Sequence, residues 1–553
     1  MARASFDVVI VGGGLAGISA ALSARSGGAS VALVCEGSLC AGSSFSRNTW
    51  GLGMVAEAHE PFIRGHQSLF KAMETIGMGL CTPGLPERLT ADAEDSIEWL
   101  ARAGAKLRIP EDATQREYVP CFDHEMRTWR GFLSHGSENP LRRTVRKAGI
   151  SVFEHTQLVS LLKDDEQVFG VLTLHKISTP LFIDAHSVVL CCGGLAGLYG
   201  SHICPSTTGC GHLAALEAGA SLVNIEFEQL MVGYLKPLHG VVFNEKLWRW
   251  VSLTRDDAVA NALSPTKHDL DKALEAHSWH GPFTSERTSR LVEQFICEAP
   301  HGCAYTQVNS EALGPDRPGI IDDYLRWLSD EKHISAGQRL AVGLFAHSSN
   351  GGITIDENGF TGVRGLYAAG EMAGGVHGAD RIGGLASVSA VVFGRRSGAA
   401  AAASAHDVRG NNDTTRVGFE LRMLSSDAAE RIKELRSLLD RHALVPRSQT
   451  GLDELRDRAQ RCLDWIKSNS VAVGMDPEKL SPLDLSRVSD WRKAQSSATL
   501  TQALALAMLE RTETRGSHMR SDYPMRNEQQ AHQLQVSLLP DSQLSVRACH
   551  GDV

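Results

Sequence analysis

Gly12, Gly14 and Gly17 fall in the spacing G-x-G-x-x-G within VIVGGGLAGISAA, and Glu36 follows about twenty residues after the third glycine. Residues of these types in this order can hold a dinucleotide. The glycines provide a tight turn, an approach of bare backbone to a pyrophosphate and close packing of helix on strand, while the carboxylate accepts from a ribose hydroxyl. Ala16 lies inside the same turn. A second glycine-rich stretch, GGVHGADRIGG, sets His377 and Arg381 on backbone with almost no side chains of its own to pack them. Such backbone suits a place where the chain must come close to a bound molecule.

The elements needed to position the first motif are present in order. DVVIV (7–11) reads as a short buried strand, ISAALSARSG as a helix and SVALVC (30–35) as a second strand ending at Glu36. The free N–H groups of the helix start would point at the phosphates. An ordinary strand-to-helix turn is the alternative, and the full order of strand, glycines, helix, strand and acid favours the ADP half of a dinucleotide.

Two later stretches bear on which dinucleotide. SVVLCCGG (187–194) ends in a Gly-Gly turn that includes Cys192 and Gly193, and VRGLYAAGE (363–371) is a short strand leading to Glu371. Both resemble the returning pieces of a flavoprotein FAD domain, in which the Gly-Glu carboxylate meets the ribitol or ribose chain. The helix after Glu371, with Ala386 and Ser387 at its start, would aim its N-terminus at the flavin edge where negative charge builds up on reduction. Ser44 and Gly53, in GSSFSRNTWGLGM, complete the expected cofactor-binding set.

Composition narrows the class. The chain has 553 residues, long enough for two or three cores. A net charge of −9 at this length argues against a nucleic-acid partner. No apolar run reaches the roughly 18 residues of a membrane span, and the start carries no signal-peptide pattern, so a cytoplasmic location is expected. The twelve cysteines include no C-x-x-C pair, which excludes a zinc or iron–sulfur frame and a disulfide scaffold.

Five stretches together resemble the flavoprotein subunit family of succinate dehydrogenase and fumarate reductase, which includes soluble fumarate reductases and L-aspartate oxidase. They are VIVGGGLAGISAA, CCGGLAGLYG with TTGCGHLAALEAGA, HSSNGGITID, GLYAAGEMAGGVHGADRIGG and RTETRGSHMRSDYP. The resemblance implies an α/β architecture: a Rossmann-like FAD-binding domain from 1–232 and 341–410, an inserted α+β capping domain at 233–340, and a C-terminal helical domain from 411–553. Helical spacing of apolar residues in DAAERIKELRSLLDRHALV and LDELRDRAQRCLDWIKSN agrees with the last.

The same resemblance implies an FAD-dependent oxidoreductase, in which a hydride passes between flavin N5 and a carbon adjacent to a carboxylate. Arg381 matches the arginine that binds the substrate carboxylate, His347 matches a substrate-contacting histidine, and Arg290 matches the capping-domain proton shuttle. Competing structural roles are a loop brace for Arg381, a backbone-bonded histidine for His347 and a surface ion pair for Arg290. His377 fits a loop-orienting role. Met231 stands where the family has a second substrate histidine, and the threonine-glutamate pair for a far carboxylate has no evident counterpart in YLKPLHGVVFNEKLWRW. A more apolar far pocket is therefore expected, with Trp248 and Trp250 as lining or, alternatively, cap core. Cys210 replaces an aspartate and Leu385 an asparagine, and no histidine stands in 42–54 for a covalent flavin link, so non-covalent FAD is expected. Partners would be a small carboxylate and an electron acceptor, oxygen or an electron-transfer protein. Two other readings are an adenylylsulfate-reductase-like flavoprotein with an iron–sulfur partner and a non-catalytic flavin-binding paralogue.

Overall fold

A computed structural model describes residues 3–57, 67–256, 266–314, 317–335, 337–407, 421–473 and 480–549. Its largest sheet has seven strands. Arg3–Val11 lies at the centre, flanked in parallel by Val31–Val34, which in turn pairs Ser151–Phe153, and by Thr179–Leu190. Thr179–Leu190 then splits the sheet. Its first half pairs antiparallel with Val168–His175 and onward to Thr156–Lys163, while its last residues pair in parallel with Leu366–Ala368. Strands buried on both faces need continuous apolar runs, and VVIV and VALV supply them. Helices Leu15–Ser26 and Leu385–Asp407 pack together closely enough that a Cβ on Gly398 would stand 2.2 Å from Ala20 O. The alanine- and glycine-rich composition of the second helix answers to that approach.

A second sheet carries the cap. Its order is Val241–Val242, Glu228–Lys236, Leu340–Ser349, Ala304–Val308, Val251–Thr254. The boundaries expected at 232/233 and 340/341 fall inside its two central strands, so the chain passes to and from the cap along one antiparallel pair. This sheet and helices Lys267–His280 and Gly319–Lys332 enclose a separate core around Trp248, Phe243, Ile321 and Tyr324. The C-terminal part contains helices Ala429–His442, Gln449–Ser468 and Pro482–Glu510, the last with a Ser481/Asp484 capping box. It ends in a hairpin, Gln533–Leu538 with Leu544–Cys549, that pairs with Leu222–Val223, so this part is not helical alone. Among the described residues no helix is long and apolar enough to cross a membrane, and no His/Cys/Asp/Glu group is placed to hold a metal.

Candidate active site

A cavity of about 690 Å³ runs from the glycine turn to the cap. At one end lies the turn between strand Arg3–Val11 and helix Leu15–Ser26. Gly12 has φ 120°, and a Cβ there would stand 2.1 Å from Cys191 O. Only glycine fits. Gly14 caps the helix without a side-chain acceptor, which leaves the first-turn N–H groups for an anion. Gly12, Gly14, Ala16, Glu36, Ser44, Gly53, Cys192 and Gly193 line the cavity, and so do Glu371, Ala386 and Ser387. Gly17 does not. A Cβ on it would meet Gly12 O at 1.8 Å, so its part is to seat the helix on the turn. Backbone donors at one helix start, an acid past the second strand and a further helix start at Ala386–Ser387 fit the pyrophosphate, ribose and flavin of FAD. Cys210 also lines the cavity, its Sγ 3.2 Å from Thr208 Oγ1.

At this wall the lining carboxylate Glu371 meets a second one, Glu228, that lies behind it. Ser349 N–H donates to Glu371 Oε1 (3.1 Å), and Ser349 Oγ donates to Glu228 Oε2 (2.9 Å). Burial, and then the charge of Glu371, pushes the Glu228 carboxyl up to about 8. Burial raises Glu371 as well, against the pull of the Ser349 N–H and Arg381.

Arg381 lines the cavity at 6% exposure. Its Nη2 donates to Gln229 Oε1, Gln229 Nε2 donates back to Arg381 O (3.3 Å), and Nε has no partner. Burial brings its pKa down to about 10. It forms no ion pair with a carboxylate among the described residues. His347 lies beside the same space. The ladder shifts register between Gln229/Ser348 and Leu230/Ala346, which leaves His347 as the extra residue of a bulge and re-aims its side chain into the cavity. Burial, then the Arg381 charge, lowers its pKa to about 3, so the imidazole is neutral and its Nδ1 is unpartnered. His377 is buried nearby but does not line the cavity, and its carbonyl packs against Gly77.

The geometry bears on three of these expectations, and for the two tryptophans it agrees with the cap-core alternative. Arg290 is exposed, outside the cavity, with Nη1 donating to Ser285 O (2.9 Å). Arg287, three residues earlier, is likewise exposed and outside the cavity, but its charge acts on buried Asp380 and His280. Trp248 and Trp250 do not line the far pocket. Trp248 is buried in the cap core against Phe243 (4.3 Å between rings), and Trp250 stacks under Arg249. Nor is the far pocket mainly apolar, since Asn244, Glu245, Lys246 and Glu117 line it beside Met231, Val242, Phe243 and Ile320. Gln229 was readable in EFEQ as an inward strand position; Cys121, Trp129 and Trp50, which also line the cavity, carry no local signal.

A glycine turn of the dinucleotide-binding kind and a cavity that extends from it to the second sheet are the features of an FAD-binding fold. The chain belongs to the family described as "FAD binding domain", matched over residues 7–386, and its residues 432–549 match "Fumarate reductase flavoprotein C-term". It is 28% identical to an L-aspartate oxidase of Mycobacterium tuberculosis, covering 97% of this chain and 95% of that protein. It is 26% identical to one of the subunits of a fumarate reductase (CoM/CoB) of Methanothermobacter marburgensis, with 94% of each covered. The solved structure of Mycobacterium smegmatis Sdh1 shares the fold, with a TM-score of 0.77 at 22% identity, over 100% of this chain and 95% of that one. The chain is an FAD-dependent oxidoreductase of the succinate dehydrogenase, fumarate reductase and L-aspartate oxidase family.

Proposed function

We propose that this enzyme moves a hydride between non-covalently held FAD and a carbon adjacent to the carboxylate of a small organic or amino acid. One observation carries the reading: a buried guanidinium, paired only with the neutral Gln229, stands in the cofactor cavity with an N–H to spare. The charges of Glu371 and Glu228 reach it, but no carboxylate is in ion-pair contact with it, and a substrate carboxylate would supply a bidentate pair. Neutral His347 adds a hydrogen bond without competing for the anion. FAD, when bound, supplies the hydride acceptor or donor. The accompanying proton is handled from the cap segment 284–290, where Thr284 donates to Asp380 (2.7 Å) next to Arg381 and where Arg287, not Arg290, has electrostatic reach inward. Residues 233–340 act as the cap that excludes water.

The test is an anaerobic titration of the flavin absorbance with amino acids and short carboxylic acids, alongside Arg381→Lys. At least one acid should bleach or perturb the flavin, and the lysine variant, which keeps charge but loses the fork, should lose about 100-fold in kcat/KM while retaining FAD. Unchanged turnover in that variant overturns the assignment.

A further inference from the structure

Ser349, the last residue of the strand Leu340–Ser349, holds two carboxylates at once. Its N–H donates to Glu371 Oε1 (3.1 Å) and its hydroxyl to Glu228 Oε2 (2.9 Å), while the hydroxyl oxygen accepts from Leu195 N (2.7 Å). Glu371 lines the cofactor cavity, and Glu228 is 0% exposed behind it. Among the described residues neither has a cation in ion-pair contact: Arg381 is bonded to Gln229, and Arg447 gives Nε to Ala443 O (2.9 Å) and Nη1 to Glu226 O (2.8 Å). Two buried carboxylates bridged by one serine cannot both be charged at low cost, so the pair holds a proton. Hydrogen bonds decide which one carries it. Glu371 accepts from the N–H groups of Ser349 and Gly194 and from the Ser348 side chain, all of which favour its charged form. Glu228 accepts from the Ser349 hydroxyl, and its Oε1 has no partner. Glu371 is therefore the carboxylate facing the cofactor, and Glu228 the acid behind it.

The charges that act on Glu228 are those of Glu371, Arg447 and Arg381, and Glu228 acts in turn on Tyr199 and Cys204. Burial raises the Tyr199 phenol and the Cys204 thiol, so both stay neutral, and the two guanidiniums stay charged through the neutral range. His347, on the same strand as Ser349, is neutral as well. Glu228 is the member of this cluster left to change charge, at about pH 8. A hydride delivered to the bound cofactor carries two electrons and one proton, and so adds one negative charge to the cavity that Glu371 faces. That charge tightens the hold of the pair on its proton.

We propose that Glu228 is a redox-linked proton store for the cofactor site: its carboxylate binds one proton from solvent when the cofactor gains a hydride and releases it on reoxidation. No electrons pass through Glu228; the proton offsets the charge that the hydride brings. Glu228 is a positioning residue, since it acts on the cofactor through Ser349 and Glu371 without touching it. The role is the same whichever acid delivers the hydride, so it stands apart from the reading of Arg381.

The experiment is a spectroelectrochemical titration of the FAD-loaded enzyme without substrate, giving the midpoint potential from about pH 6 to about pH 10 for the wild type, Glu228→Gln and Glu228→Asp. Glutamine mimics the protonated acid. The potentials of the wild type and the glutamine variant should therefore run parallel at about pH 6 and diverge above about pH 8, where the wild type carries the extra negative charge and is harder to reduce. In that range the wild-type slope should correspond to up to one more proton per two electrons than that of the glutamine variant, and the aspartate variant, which keeps a carboxyl, should follow the wild type. Parallel curves at every pH mean a structural role and overturn the proposal. A second reading needs no variant: reduced-minus-oxidised infrared spectra of the wild type at about pH 9 should show the carbonyl stretch of a protonated carboxyl appearing on reduction and shifting in deuterium oxide. Absence of that band overturns the proposal even where the glutamine variant fails to hold FAD.

Discussion

Glu228 is the residue whose chemistry is least absorbed by substrate binding. It is fully buried, shares Ser349 with Glu371, and has one oxygen without a partner. With its pKa raised to about 8 by burial, it keeps its proton in the folded chain between the ordinary carboxyl range and that value, whereas the unfolded chain has lost it. The sign follows from linkage: its contribution to stability is complete below the unfolded pKa and is lost as pH rises, by up to about 1.4 kcal/mol per pH unit. Glu228→Gln removes the titration. Melting curves from about pH 5 to about pH 8 should therefore show the variant gaining steadily on the wild type. A constant difference across that range would mean that Glu228 titrates normally. At this scale the sequence was legible where chemistry is local. The glycine turn and Arg381 announce themselves because their neighbours in the chain are also their neighbours in space. Glu228 and Glu371 come together at Ser349 only through folding, across 143 positions of chain. In TSERTSR two arginines stand three residues apart, and nothing local tells which one acts on the buried Asp380.

At the scale of elements, the crossing of Leu15–Ser26 with Leu385–Asp407 sets two effects against each other. Replacing a helix-interior glycine by alanine ordinarily gains about 1 kcal/mol. At Gly398 the new Cβ would stand 2.2 Å from Ala20 O, and a helix held that tightly cannot retreat without overpacking costs of about 1–3 kcal/mol. The contact wins. Gly398→Ala should lower the melting temperature by a few degrees, and a rise would show that the helices separate freely. The bulge at His347 belongs to this scale too. Strand Leu340–Ser349 has the apolar composition of a buried strand, but a single-residue slip in its ladder is set by the partner strand and leaves no mark in the sequence.

Across the whole molecule, the cap meets the cofactor domain along the segment 108–122. Arg108 pairs with Asp323 on the cap helix Gly319–Lys332 and lies over Trp50 (5.0 Å) and Trp129 (5.4 Å), and Arg116 pairs with Glu275 (3.0 Å). Arg108→Ala should leave the FAD content unchanged and speed amide hydrogen exchange in Gly319–Lys332 relative to the wild type. Unchanged exchange would mean that the apolar contacts hold the seam alone. The broad architecture was readable because the motifs lie in order along the chain. This seam was not, since it joins residues more than 150 positions apart through side chains with no motif. The strands Glu228–Lys236 and Leu340–Ser349 give the molecule one more property. Gln229 and His347 sit at one end of this single ladder, and the cap is built on the other. The strands that place Gln229 and His347 beside Arg381 are therefore continuous with those that carry the second sheet, and one ladder ties the position of that sheet to the geometry around the guanidinium.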